Sequence, residues 1–274
     1  MQLGIETSGL SDQLIVVRRR ELSKKLHGSV LCYPGNDLSS FDSRLDQLKE
    51  LGVEELIFEG TSKVGKFGII GRGCVSTVVK ARMKSENEII ALKIRRADAN
   101  RSDMSRDHEL QSFANSFGVG PRSISASKDL FAMQFIDSIK LGKWAAKLKT
   151  RTSKKYTRSL IRNVLEQCYL LDVNGLDHGE LSNPTKHVLI WKGEPKTTII
   201  DYESASKNRR VSNLTAVAQF FFLAGWQSEK IQKILGFEKQ SPHFSKSKFI
   251  AKLRKYKDAP IEKSFEDILS YVKC

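Results

Sequence analysis

Apolar and polar positions along this chain follow two periods. Behind Ser40 or Asp42 as candidate caps, Leu45, Leu48 and Leu51 recur at near-helical spacing until Gly52 stops the run. Val53–Phe58 reads as a strand, and residues 64–95 form short β-rich runs broken at Lys84-Ser85-Glu86-Asn87-Glu88, the pattern of three antiparallel strands. Residues 105–117 place Leu110, Phe113, Ala114 and Phe117 on one helical face, closed by Gly118-Val119-Gly120-Pro121. Residues 130–136 predict another strand. Residues 156–173 predict a long helix burying Leu160, Ile161, Val164, Leu165, Cys168 and Leu171, with Asn174-Gly175 at its end. Near the start, Ser29-Val30-Leu31-Cys32-Tyr33 predicts a short strand ended by the turn signal Pro34-Gly35. The expectation is an α+β chain in three parts: a front piece over residues 1–55, a β-rich part over 56–132 and a helical part over 133–274.

Composition changes this picture little. With 40% hydrophobic and 28% charged residues in 274, the chain has the balance of a folded protein with one or two cores. The longest apolar stretch, residues 214–226, contains Gln219 and falls short of the roughly 20 residues of a membrane span. Residues 1–10 lack a basic, then apolar, leader pattern, so a cytoplasmic location is expected. Cys32, Cys74, Cys168 and Cys274 lie far apart with no zinc-ligand spacing and read as free or buried thiols. His27, His108 and His243 have no partner motif and read as surface or packing residues.

Charge changes it more. Lys and Arg number 46 against 31 Asp and Glu, a net charge of +15 with a pI near 9.6, in the range of nucleic-acid-binding domains. The excess is uneven: between Asp137 and Glu166 there is no acid, while Lys140, Lys143, Lys147, Lys149, Arg151, Lys154, Lys155, Arg158 and Arg162 fall there. A second basic segment covers residues 246–257. Basic helix faces are often only solvated surface, but such faces ordinarily carry glutamate too. A one-signed block suits a phosphate-tracking surface. Trp144 and Tyr156 are available for stacking or for the core.

The candidate chemistry starts at Gly71-Arg72-Gly73-Cys74-Val75-Ser76-Thr77-Val78, a glycine-rich turn between strands, followed by Ala91-Leu92-Lys93. Glycines admit phosphate oxygens close to the backbone, and a lysine on the next strand reaches them as a point charge. The turn matches the protein-kinase loop with Ser76 in place of the third glycine. A lone G-x-G means little, but the order of further parts is that of a kinase: Lys93, then Glu109 on a helix, then His178-Gly179-Glu180-Leu181, then Ile199-Ile200-Asp201. In that order Gly71, Gly73, Ser76, Val78, Ala91, Lys93, Glu109, Met133 and Phe135 are ATP-binding candidates, with Glu109 turned back towards Lys93. Glu180, Asp201 and Lys93 are the catalytic candidates. Asp201 offers Mg2+ the hard oxygen it prefers.

These segments, with Ser182 and Tyr202-Glu203-Ser204-Ala205-Ser206, resemble the atypical small kinases of the RIO type over residues 58–225, and more closely the archaeal RNA kinase subgroup described as predicted serine/threonine kinases. The resemblance implies a bilobal protein-kinase-like fold with a reduced C-lobe and an N-terminal extension, ATP and Mg2+ between the lobes, and phosphorylation of a ribose 2′-hydroxyl inside tRNA. Two departures stand out. Glu180 occupies the place of the family's Asp, and the metal-binding Asn five residues on is replaced by Thr185, with Asn183 and His187 as the other candidates. No Ala-Pro-Glu motif or long activation segment follows Asp201. Instead Lys207-Asn208-Arg209-Arg210 stands there, and Lys149, Arg151, Lys154, Lys155, Arg158, Lys207, Arg209 and Arg210 are the RNA-binding candidates. A RIO-type serine/threonine protein kinase and a non-catalytic, ATP-dependent RNA-binding module are the alternatives.

Overall fold

Period-two alternation in the first half of the chain folds as antiparallel sheet, and the 3.6-period runs of the second half fold as helices packed on one another. The computed structural model describes residues 14–35, 37–85, 87–149, 151–224, 227–237 and 244–272. Residues 1–10, His243 and Cys274 lie outside them. The chain is α+β and divides into two units, residues 1–108 with 123–135, and residues 109–122 with 136–274. Among the described residues, no helix is long and apolar enough to cross a membrane.

In the first unit the elements run β1 (Ile15–Arg18), α1 (Lys24–Leu31), α2 (Phe41–Glu50), β2 (Val53–Phe58), a hairpin of β3 (Ser62–Val64) and β4 (Phe67–Ile69), then β5 (Gly71–Arg72), β6 (Ser76–Met83), β7 (Ile89–Arg95), the start of α3 (Ser105–Asn115), β8 (Ser123–Ala126) and β9 (Leu130–Gln134). The sheet order is β1-β2-β6-β7-β9-β8, with β5 beside β6, and every pairing is antiparallel. Alternation sorts the side chains. Val79, Ala81 and Met83 of β6 and Ile90, Leu92 and Ile94 of β7 enter a core shared with Val30, Leu31, Phe41 and Leu48 of α1 and α2. Val78, Ala91 and Met133 face the other way and pack with Met104 and Phe131.

Two expectations change here. Residues 29–33 are not a strand, because Lys24–Leu31 is helical. Val30 and Leu31, which suggested a strand, lie with His27 on the buried side of that helix, and Cys32 and Tyr33 form the turn that follows it. Nor is the front piece a module of its own. Strand β1 extends the sheet through β2, and Arg44 of α2, fully buried, donates to Leu31 O and pairs with Asp129 at 3.3 Å. Asp129 also accepts from Gln47 Nε2 at 3.0 Å and from Arg95 Nε at 2.6 Å, so α2 is tied to β7 and to the turn before β9.

Burial alone would raise the Asp129 carboxyl, but Gln47, Arg44 and Arg95 hold it below the ordinary carboxylate range. Its value being lower in the folded state, this stabilisation is present at neutral pH and lost as the pH falls through the acid range. Removing one partner leaves a buried charge uncompensated. Arg44→Ala is therefore expected to lower the unfolding free energy by about 3–5 kcal/mol. Urea titration at neutral pH measures it, and a loss below about 1 kcal/mol, the scale of an exposed pair, would refute the joining role of this network.

The second unit runs through the rest of α3 to β10 (Ser138–Lys140), α4 (Leu141–Ala146), α5 (Lys154–Val173), β11 (Val188–Trp191), β12 (Thr197–Ile199), α6 (Asn213–Phe222), α7 (Ser228–Leu235), α8 (Lys246–Asp258) and α9 (Glu262–Leu269). Helix α5 is its axis. Leu160, Ile161, Val164, Leu165, Cys168 and Leu171 are all buried, in one core with residues of α6, α7, α8 and α9. Its N-cap Ser153 accepts from Tyr156 N, and the chain leaves it through Asn174 and Gly175, the latter at φ +71°. Strands β10, β11 and β12 form a three-stranded antiparallel sheet that flanks the loop of residues 177–187.

Candidate active site

Two groups of predicted residues come together, one in each unit. In the first, Gly71 pairs with Val78 and Arg72 with Thr77, so the glycine-rich segment is a tight β5–β6 hairpin closed by Gly73 N to Ser76 O at 2.8 Å. A Cβ on Gly71 would stand 3.3 Å from the Val78 side chain, tighter than ordinary contact, which accounts for glycine at that position. The tip is held by Arg96, whose Nη1 donates to Gly73 O at 3.1 Å and whose backbone N donates to Val75 O at 2.8 Å. Behind it, Ala91 sits opposite Met133 and Lys93 opposite Phe131 in the β7–β9 register. Val78, Ala91, Met133 and Phe135, all predicted, therefore share one apolar cluster, which Ile70 and Met104 join.

Lys93 is buried, and Asp107 of α3 meets it at 3.5 Å. Arg101 Nη1 holds the other oxygen of Asp107 at 2.9 Å. The expectation of Glu109 is thus corrected by two residues. Positions 107 and 109 stand roughly 200° apart around a helix, so they address different neighbours. Glu109 pairs with Lys207 Nζ at 3.3 Å and is largely exposed.

The second group is set by the loop after α5. Asp172, buried near the end of α5, accepts from Asn213 N at 3.0 Å, Asn213 Nδ2 at 2.8 Å, Leu214 N at 3.1 Å and the Tyr256 hydroxyl at 3.0 Å. Burial lifts its carboxyl to about 6 against the pull of those donors. Asn213 passes the order on, its Oδ1 accepting from His178 N at 2.8 Å and its Nδ2 donating to Leu176 O at 2.8 Å. Asp177 exchanges backbone bonds with Ser206, while its carboxylate takes Arg209 Nε at 2.5 Å and Ser212 N at 3.1 Å.

His178 is fully buried, and desolvation drops its pKa to about 4, so its ring is neutral. Its Nε2 lies 3.0 Å from Ile200 O, an acceptor only, which fixes the proton on Nε2. The ring thereby ties the loop to the residue before Asp201. Gly179, at φ +88°, explains the glycine between His178 and Glu180: a Cβ there would meet Ser204 O at 2.8 Å and the Arg209 guanidinium.

Glu180, His187 and Asp201 converge, with one donor atom from each lying within 4.8 Å of the others. Glu180 is held from two sides: Ser204 Oγ donates to its Oε1 at 2.9 Å, and His187 Nε2 lies 3.0 Å from its Oε2. Asp201 takes the left-handed conformation, φ +74°, where β12 gives way to the turn at Tyr202–Ser204, and His187 O accepts from Ile200 N at 2.9 Å. Burial lowers the His187 pKa, Glu180 and Asp201 raise it, and Lys140 and Lys186 lower it. Lys140, at the end of β10, is near enough to Asp201 for the carboxylate to favour its ammonium, although loss of hydration lowers its pKa on balance. Of the three second-metal candidates, His187 lies with the two carboxylates, while Thr185 Oγ1 donates to Asn183 Oδ1 at 2.6 Å, which leaves those two as oxygen-bearing alternatives. Two carboxylates and an imidazole fit a divalent cation, the oxygens suiting Mg2+ and the nitrogen a softer ion.

The basic candidates divide. Arg209 braces the fold through Asp177 and Ser204 O, Lys207 pairs with Glu109 and lies 4.1 Å over the Phe113 ring, and Arg210 reaches Lys257 O and Asp258. Arg209 keeps 47% of its side chain exposed while it holds Asp177 and Ser204 O, so this guanidinium braces the fold and still faces solvent. Lys149, Arg151, Lys154 and Lys155 are exposed and form no ion pair among the described residues, and Arg158 is half-buried. Asp107, Lys140 and Ser204 are site residues that the sequence reading missed. Lys140 had a signal in its place within the acid-free block, and Ser204 in the segment Tyr202-Glu203-Ser204-Ala205-Ser206. No protein-family model matches the chain, and no curated protein matches it in sequence.

Proposed function

We propose that this chain is an ATP-dependent RNA kinase of bilobal, RIO-like architecture that transfers the γ-phosphate to a ribose 2′-hydroxyl inside tRNA. The observation that carries the transfer chemistry is the convergence of Glu180, His187 and Asp201, with Glu180 oriented by Ser204. The basic block, exposed at Lys149, Arg151, Lys154 and Lys155 in a chain of net charge +15, carries the choice of RNA.

Each residue then has a task. Val78, Ala91, Met133 and Phe135 supply an apolar surface for the adenine, and Lys93, fixed by Asp107, supplies positive charge to the α- and β-phosphates. Asp201 and His187 hold the divalent ion, which neutralises charge on the transferring phosphate when bound. Glu180 accepts the proton of the 2′-hydroxyl as that oxygen bonds to the γ-phosphorus. The phosphorus–oxygen bond to the β-phosphate breaks, and its electron pair leaves with ADP. Lys140 adds a cation beside Asp201.

The test offers γ-labelled ATP to matched pools of small RNA and soluble protein, with Asp201→Ala as control. Label is expected in tRNA-sized RNA, at a nucleotide where alkali no longer cleaves because the 2′-oxygen is blocked, and absent with the variant. Label confined to protein would replace this reading with a RIO-type protein kinase. Label in neither pool would leave the non-catalytic RNA-binding module.

A further inference from the structure

A cleft of about 440 Å3 in the second unit is lined by Leu148, Lys149, Arg151, Lys230 and Lys233. It shares no residue with the Glu180, His187 and Asp201 group. Its two walls come from segments far apart in sequence. Helix α7 buries Ile231, Ile234 and Leu235 in the core, and the same turn spacing leaves Lys230 and Lys233 exposed on its outer face, three residues apart. The other wall is the connection between α4 and α5, anchored by buried Leu148 and shaped by Lys149 N to Thr152 Oγ1 at 3.0 Å and Thr152 N to Lys149 O at 2.8 Å. The Lys154 ammonium stands beside the end of α7, 3.2 Å from where a Gly236 Cβ would be.

This concentration of charge works against folding. Four cations line one cleft, and among the described residues none has a carboxylate partner. Next to it, α5 begins with Lys154 and Lys155 and has no acid in its first turn, where peptide dipoles favour negative charge. Nothing in the packing requires cations at these exposed positions. A ligand with regularly spaced negative charges relieves the repulsion. At about 440 Å3 the cleft has room for more than one phosphate with its sugar, and among the described residues its lining is apolar only at Leu148 and holds no aromatic ring for a base to stack on. Such a lining reads backbone rather than sequence.

We propose that this cleft is a phosphodiester-binding site that grips the RNA substrate through consecutive backbone phosphates, with Lys230 and Lys233 as contacts of α7 that the sequence pattern did not single out. The proposal rests on the reading of the chain as an RNA-directed kinase.

The experiment measures binding of the full chain to an unmodified tRNA transcript over a range of salt concentrations, for the native protein, Lys230→Gln/Lys233→Gln and, from the opposite wall, Arg151→Gln. The control Lys63→Gln/Lys84→Gln removes the same charge from exposed positions outside both basic segments. The α7 double variant is expected to bind RNA about 10–100-fold more weakly at low salt, with the slope of log affinity against log salt reduced by about 2. Arg151→Gln is expected to reduce the slope by about 1, and the control to leave affinity and slope as they were. Lys230→Arg/Lys233→Arg should restore binding, and no cleft variant should lower the thermal midpoint. An equal loss in the control would assign the effect to net charge and overturn the site, as would an unchanged slope in both cleft variants. Displacement of RNA by inorganic tripolyphosphate beyond its ionic-strength effect would reassign the cleft to a free polyphosphate. If the cleft variants fail this test while the native protein still labels tRNA, the cleft falls and the kinase reading stands. If the native protein neither binds nor labels RNA, both fall.

Discussion

Asp201→Asn is expected to lower phosphate transfer by about 1,000-fold, with RNA binding retained. The size follows from removing a carboxylate from the proposed ion site, where charge stabilisation of several kcal/mol is concentrated, at about 1.4 kcal/mol for each factor of ten. Asparagine is the informative replacement. Asp201 sits at φ +74°, a conformation that Asn tolerates and that alanine reaches at about 1–2 kcal/mol. Asp201→Ala therefore mixes lost charge with backbone strain, while Asp201→Asn removes the charge alone. Single-turnover rates at saturating ATP and RNA, beside a thermal melt, separate the two. An Asn variant that keeps a tenth of native activity would remove Asp201 from the chemistry.

The second large effect concerns Glu180, and it runs in two directions. Glu180→Gln keeps an acceptor for Ser204 Oγ, yet cannot take a proton, so the transfer rate is expected to fall by about 10²–10⁴-fold with ATP affinity unchanged. Glu180→Asp restores the residue that the kinase pattern carries elsewhere, and here it is expected to impair rather than improve. Ser204 at 2.9 Å and His187 at 3.0 Å are placed for the longer side chain. A carboxylate drawn back by one methylene loses both contacts and misses the hydroxyl by more than about 1 Å, a displacement worth about 100-fold. Faster transfer in Glu180→Asp would mean that the loop is not matched to glutamate, and that the general base is another group.

Much of this was readable without coordinates. The β-rich runs of β2, β6, β7 and β9 named their strands, whereas Val78 and Ala91 came from the order of kinase parts, and only the structure sets them on the face opposite Val79 and Leu92. The long apolar stripe of α5, with Asn174-Gly175 behind it, marked that helix to within two residues. The failures have physical causes. Val30-Leu31-Cys32 is apolar on every side, and a short buried run reads alike as strand or helix. The partner of Lys93 depended on the phase of α3, which local pattern leaves open between Asp107 and Glu109. Lys230 and Lys233 lie about 80 residues beyond the block they join, and no spacing rule connects them to Lys149 and Arg151.

The buried donors around Asp172 also set a timetable. Asp172 orders Asn213, and Asn213 orders the backbone of His178, but one donor to Asp172 is the Tyr256 hydroxyl, 84 residues downstream. Chains leave the ribosome N-terminus first at about 5–20 residues per second. The strands of the first unit are all out by residue 135, well before that tyrosine. The loop bearing Glu180 waits for the part of the chain made near the end, so a nascent chain gains its sheet many seconds before it gains a finished site.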